Sequence, residues 1–174
     1  MWLQMGRRWL LATLALVVTG GIASAQVKVG VINLQRAVLE SAEIKKADTE
    51  MQAKYKPRQD ELANIEKDLA NISQQLQTGA NKLTPQAQAD LQAQGQKKQR
   101  EHDRMAEDLQ NDVNNERNDI LGKSTQKMSE VVKKIAEEKG LDLVVDVSTT
   151  VYFKPALEIT NDAIAAYDKA YPPK

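Results

Sequence analysis

Residues 44–83 read IKKADTEMQAKYKPRQDELANIEKDLANISQQLQTGANKL, and the spacing of their apolar side chains decides the fold. The ladder advances by alternating steps of four and three residues, a period that returns side chains to one face of a supercoiled α-helix. This pattern predicts a long helix packed along one stripe against another helix, with the stripe serving packing rather than ligand binding. The rungs are Ile44, Asp48, Met51, Tyr55, Arg58, Leu62, Ile65, Leu69, Ile72, Leu76, Gly79 and Leu83.

The chain is expected to reverse where this ladder ends. Gly79 and Asn81 weaken the helix, and Thr84-Pro85 has the form of an N-cap followed by proline at the first helical position. Earlier in the same helix, Pro57 is expected to introduce a kink, because proline removes one intrahelical hydrogen bond. The two helices on either side of the reversal form the arm of the molecule.

The returning helix is predicted from Pro85 to about Lys139, where Gly140 supplies a C-terminal cap. Its apolar residues are sparser, and Lys98 and His102 occupy positions that should face the first helix. Since burial of apolar surface stabilises the pair, the arm should be held weakly near its tip and firmly near its base.

Short β-branched runs bracket the arm. Val27–Asn33 and Leu141–Val147 each predict a short strand, and Val151–Phe153 is expected to continue the sheet after a turn. Thr160 is expected to cap a short closing helix. The prediction is therefore a mainly α fold with a small β part. The division is a β-body of residues 26–40 and 140–174 and an arm of residues 41–139 with its tip near residues 79–85.

Residues 1–25 predict export from the cytoplasm. Two arginines precede an apolar run over residues 9–22, and the run closes on Ala23, Ser24 and Ala25, the small-x-small pattern of a signal-peptidase site. The run is shorter than the roughly 20 residues of a membrane-spanning helix, which favours cleavage over a retained anchor. The predicted compartment is the periplasm.

Composition narrows the classes of function. The chain has no cysteine, so disulfides, thiolate nucleophiles and thiolate metal sites are excluded. Without the two arginines of the signal, 22 basic residues face 24 acidic ones, which gives no indication of a nucleic-acid partner. His102 is the sole histidine, and no motif of an active site, metal site or cofactor site accompanies it. We expect no enzyme activity, no metal and no cofactor.

The order of elements and two sequence blocks resemble the Skp family of periplasmic chaperones, also called OmpH-like proteins. The blocks are Val29–Ala37 and Leu141–Asp146, followed by Tyr152 and by Asp162 in the closing helix. The resemblance implies a jellyfish-like homotrimer, in which strands of three chains build a body and three hairpins surround a cavity. Short strands with unpaired edges also argue for assembly.

We expect Val29, Val31, Val144 and Val145 in the core of that body, with a core formed within one chain as the alternative. The resemblance implies a holdase that binds unfolded outer-membrane β-barrel proteins between its arms and prevents their aggregation.

Candidate client contacts on the arm are Leu91, Met105 and Leu109, which can equally be residues of the helix seam. Known relatives are markedly basic, whereas this chain is near neutral, so lipid head groups and lipopolysaccharide remain open as partners. The competing hypothesis is a coiled-coil scaffold or tether of the cell envelope, which shares the signal and the heptads.

Overall fold

The computed structural model describes residues 26–79 and 82–173, and the predicted mainly helical fold with a small sheet is confirmed. The predicted signal-cleavage residues Ala23, Ser24 and Ala25 lie outside the described residues, as does Asn81. Single 3₁₀ turns occupy Val147–Thr149 and Pro155–Leu157. The helices and strands are β1 (Val29–Ile32), α1 (Leu34–Leu39), α2 (Ala42–Gly79), α3 (Pro85–Lys139), β2 (Leu143–Asp146) and α4 (Thr160–Ala170).

Helices α2 and α3 form the predicted antiparallel hairpin. Contacts between them pair early residues of one helix with late residues of the other, as in Glu43 with Lys127, Tyr55 with Glu116, and Asp68 with Lys98. At 1.5 Å per residue, the 38 residues of α2 and the 55 residues of α3 reach about 57 Å and about 80 Å. The arm is therefore much longer than the body from which it extends.

The ends of α3 follow the sequence signals. The hydroxyl oxygen of Thr84 accepts a hydrogen bond from the backbone N–H of Ala87 at 3.2 Å, and Pro85 takes the first helical position. At the other end, Gly140 has a φ of 62°, a left-handed conformation that glycine adopts without steric cost. Helix α2 continues through Pro57 as one element.

Strands β1 and β2 pair in parallel although the whole arm separates them in sequence, with Val31 opposite Val145. The expected third strand at Val151–Phe153 is wrong. Asp146 ends the pairing of β1 with β2. Its carboxylate accepts a hydrogen bond from the N–H of Ser148 at 2.8 Å, and its carbonyl accepts hydrogen bonds from the hydroxyls of Thr149 and Thr150. These local bonds turn the chain away from the sheet.

The edge of β1 that does not pair with β2 contacts residues just before α4. The backbone N–H of Ile159 donates to the carbonyl of Val31 at 2.8 Å, and Val31 forms an isolated parallel bridge with Glu158. Among the described residues, pairing at this edge of β1 is limited to that single bridge.

Helix α1 is an element that the sequence did not predict, and Asn33 was assigned to the preceding strand. The Asn33 side chain instead accepts the N–H of Arg36 at 2.9 Å and caps α1. The expectation that Thr160 caps the closing helix is also wrong. Its hydroxyl accepts the N–H of Asn33 at 3.0 Å, and Ile159 precedes the first turn of α4. Thr160 thus joins two elements of the body.

The main hydrophobic core lies where the arm meets the body. It is formed by one face each of α1, α3 and α4 together with the end of β1 and the start of α2. A smaller cluster of Met51, Tyr55 and Leu109 lies further along the arm. The buried residues of the main core are Ile32, Ala37, Val38, Ile44, Met128, Val131, Ile135, Ile159, Ala163 and Tyr167.

Candidate functional site: the arm and its root

A hydrogen-bonded network ties the root of the arm to α4. The Tyr167 hydroxyl, on a fully buried side chain, donates to Oε2 of Glu43 at the start of α2. Oε1 of the same carboxylate lies 2.6 Å from Nζ of Lys127 in α3, and that ammonium lies 5.0 Å from the ring centroid of Tyr171. One carboxylate therefore connects the three helices that set the direction of the arm.

The network favours an ionised Glu43. Burial alone raises the pKa of its carboxyl, but the hydrogen bonds from Lys127 and Tyr167 outweigh burial and hold that pKa below its ordinary value. For Tyr167, burial and then the bond to Glu43 both raise the phenol pKa far above its usual range. The phenol thus remains a donor and the carboxylate an acceptor at every pH near neutrality.

A second polar cluster crosses the middle of the arm. The Tyr55 hydroxyl donates to Oε2 of Glu116 at 2.5 Å, and Nζ of Lys54 reaches the same oxygen at 2.6 Å. One turn on, Arg58 contacts Asp112 at 2.6 Å. The bonds from Tyr55 and Lys54 satisfy the carboxylate of Glu116, which occupies a seam position where the heptad pattern calls for an apolar side chain.

The distal part of the seam is also polar on the α3 side. Lys98 Nζ lies 3.0 Å from Asp68 of α2. The His102 ring, with 22% of its side chain exposed, has Nε2 at 3.1 Å from Glu66 of α2 and Nδ1 at 3.3 Å from Asp103. Those two carboxylates, Asp103 first, raise the pKa of His102 above its ordinary value.

The candidate client contacts lie along this seam. Leu109 is 8% exposed and packs with Met51 and Tyr55, whereas Leu91 and Met105 are half-buried nearer the tip. In one chain, Leu109 is therefore part of the packing between the helices, whereas Leu91 and Met105 remain partly exposed.

The candidate residues of the body are brought together by the sheet. Val31 is 1% exposed, while Val29, Val144 and Val145 are half-buried in the paired strands. Several large apolar side chains that the sequence did not single out remain exposed on the body. They are Val27, Leu39, Leu143, Val151, Tyr152 and Leu157.

Residues 26–79 and 82–173 hold neither a membrane-spanning helix nor a cluster of metal ligands. No helix there is both long and apolar enough to span a membrane. No three histidine, aspartate or glutamate side chains within that part of the chain are grouped as metal ligands.

Replacing Tyr167 with phenylalanine tests the root network. We expect Tyr167→Phe to lower the free energy of unfolding by about 1.5–3 kcal/mol, since a buried bond to a charged group is lost while the ring is kept. The control is Tyr171→Phe, which removes an exposed 3.3 Å contact with Glu130 and should change stability by less than about 0.5 kcal/mol. Urea unfolding at one protein concentration measures both, and equal effects of the two substitutions would contradict the assigned role.

The pH dependence of arm stability tests the His102 contacts. Because the pKa is raised in the folded chain, the stabilisation is complete below the usual histidine pKa of 6.5 and is lost as the pH rises through the folded value. The difference in unfolding midpoint between the native chain and His102→Gln should therefore shrink between about pH 5.5 and about pH 8.5. A difference independent of pH would show that the imidazolium has no part in the seam.

Sequence and structure comparisons agree with this architecture. A family profile described as "Outer membrane protein (OmpH-like)" matches residues 28–167. A Skp-like protein of Pseudomonas aeruginosa is 25% identical over 86% of this chain and 89% of its own length. The chaperone protein Skp of Yersinia enterocolitica is 24% identical over 91% of this chain and 97% of its own, and that of Salmonella typhimurium is 29% identical over the same shares.

A solved structure extends the likeness to the fold. A Caulobacter crescentus protein described as an OmpH-like outer membrane chaperone superposes with a TM-score of 0.70 at 20% identity, covering 85% of this chain and 88% of the other. The family profile spans both strands, the whole hairpin and most of α4. The chain therefore belongs to the OmpH-like family.

Proposed function

We propose that this protein is a periplasmic holdase chaperone that binds unfolded outer-membrane β-barrel proteins and prevents their aggregation. The observation that carries the proposal is a long helical hairpin extending from a small body, in a chain of the OmpH-like family. Relatives that bear the name chaperone protein Skp support the same role. Residues 1–25 have the pattern of a cleavable signal peptide, which supports export to the periplasm.

The working form in this proposal is a homotrimer. The outer edge of β2 has no partner among the described residues, and Leu143 on it is 51% exposed. Beyond it, Val151 is fully exposed and Tyr152 is 79% exposed. Unpaired strand edges and exposed apolar groups of this kind are stabilised by a second chain. Assembly through the body leaves the arms free to surround a client.

Binding on this proposal requires no reaction chemistry. Three mobile arms offer many weak contacts, so affinity comes from their number and the client need not adopt one conformation. A polar outer surface keeps the complex soluble while the client is separated from other unfolded chains. The competing role of an envelope scaffold would require the hairpin only as a spacer.

Light scattering on the mature protein, alone and mixed with a urea-unfolded outer-membrane β-barrel protein, tests the proposal. We expect the mass of a trimer for the protein alone and a soluble complex after the client is diluted from urea. The control is the client diluted without the chaperone, which should precipitate. A monomer or dimer that leaves the client to precipitate would favour the scaffold.

A further inference from the structure

The outer surface of the arm has little apolar material to offer an unfolded chain. Among residues 26–79 and 82–173, the six large apolar side chains that remain exposed all lie in the body, outside α2 and α3. An unfolded β-barrel protein presents many apolar side chains, whose burial is the main favourable term in binding. A holdase whose arms make contact with such a client therefore needs apolar surface that the closed hairpin conceals.

The concealed surface lies on the α2 side of the distal seam. From Leu62 to Leu76, α2 presents an aliphatic side chain at every rung of the ladder. Ile65 is 4% exposed, and the others are half-buried. The members of this distal stripe are Leu62, Ile65, Leu69, Ile72 and Leu76.

The α3 side that covers the distal stripe is poor in apolar groups. Gly95 brings bare backbone against Ile72, whose Cγ2 lies 3.4 Å from the place of a Cβ on that glycine. The next seam positions are Lys98 and His102, each bonded to an α2 carboxylate that is more than half exposed. Exposed ion pairs contribute little to stability, because water and salt screen them. The middle of the aliphatic stripe is thus covered by glycine, lysine and histidine, and Leu91 and Met105 are the apolar residues of α3 on either side.

Opening of the hairpin can be confined to this distal part. The Met51, Tyr55 and Leu109 cluster, and beyond it the main core and the Tyr167 network, hold the proximal part. Local separation of elements that share few apolar contacts requires much less free energy than global unfolding.

We propose that the distal part of α3 separates from α2 during binding, and that the distal stripe then packs against apolar side chains of the unfolded client. The inference rests on the proposed holdase function and names the surface that carries it out. The client competes with α3 for the stripe, so anything that tightens the closed seam weakens binding.

Leucines placed in the seam give the first test. Lys98→Leu combined with His102→Leu fills the seam, so the closed arm should become more stable and client affinity should fall about tenfold or more. The matched control is Lys97→Leu combined with Glu101→Leu, which adds two leucines at the same spacing on the exposed side of α3 and should not weaken binding. Fluorescence titration with a urea-unfolded β-barrel protein measures the affinities. Equal or tighter binding by the seam variant overturns the proposal.

A cross-link gives the second test without adding apolar groups. The chain has no cysteine, so Glu66→Cys with His102→Cys can be joined across the seam by a short bifunctional maleimide. The control is Gln86→Cys with Asp90→Cys, a contacting pair within α3, joined by the same reagent. We expect the cross-seam link to abolish client holding and the control link to leave it unchanged.

The two proposals fail in distinguishable ways. If the unlinked proteins do not keep the client soluble, the holdase function is wrong, and with it the binding of a client to the opened seam. If the unlinked protein holds the client and the cross-seam linked protein holds it equally well, the holdase function remains and the opening of the seam is overturned.

Discussion

The packing of α2 against α3 is the interaction on which the rest of the molecule depends, because these two helices account for most of the described chain. The strength of this packing changes along the arm. Near the body, Ile44, Met128 and Val131 are nearly inaccessible to water. Towards the tip, α2 contributes mostly half-buried aliphatic side chains, whereas Gly95, Lys98 and His102 interrupt the apolar side chains of α3. The hairpin therefore has a firm root and a weakly held end.

The root is firm because sheet, helices and polar network all close at one place. The parallel pairing of Val31 with Val145 joins chain segments that lie on either side of the arm. Helix α4 then packs over the joint, with Tyr167 bonded to Glu43 and the N–H of Ala42 donating to Asp168 at 2.8 Å. A long lever needs such a joint, since any looseness at its base would be multiplied at its tip.

The sequence predicted the features that depend on local chemistry. The heptad ladder, the Thr84 cap and the Gly140 terminus each follow from a period or from one residue's conformational preference, and each is found. The predicted cap at Thr160 failed because of a partner far along the chain, whereas the third strand failed because of local bonds to Asp146. Thr160 has the chemistry of a cap, but Asn33 uses its hydroxyl. Residue spacing cannot predict whether the Thr160 hydroxyl oxygen accepts a hydrogen bond from its own helix or from a distant segment such as Asn33.

The candidate site was predictable to a smaller degree. The position of Lys98 and His102 in the seam was visible as a gap in the apolar pattern, but the facing residues Asp68 and Glu66 required the register of the two helices. The exposed apolar surface of the body was hidden because Val151 and Tyr152 have the composition of a buried strand. Such residues indicate an interface only after the monomer has been folded and has left them uncovered.

Hydrogen exchange along the arm tests the central claim, which is that the packing of α2 against α3 weakens from the root of the arm to its tip. Amides of α2 and α3 near the root should exchange only through global unfolding, whereas amides beyond Leu62 on α2 and before Leu109 on α3 should exchange through a smaller, local opening. The account predicts protection factors that fall progressively from root to tip, by about tenfold for each 1.4 kcal/mol of lost local stability. Uniform protection along both helices would contradict it, because the hairpin would then open as one unit.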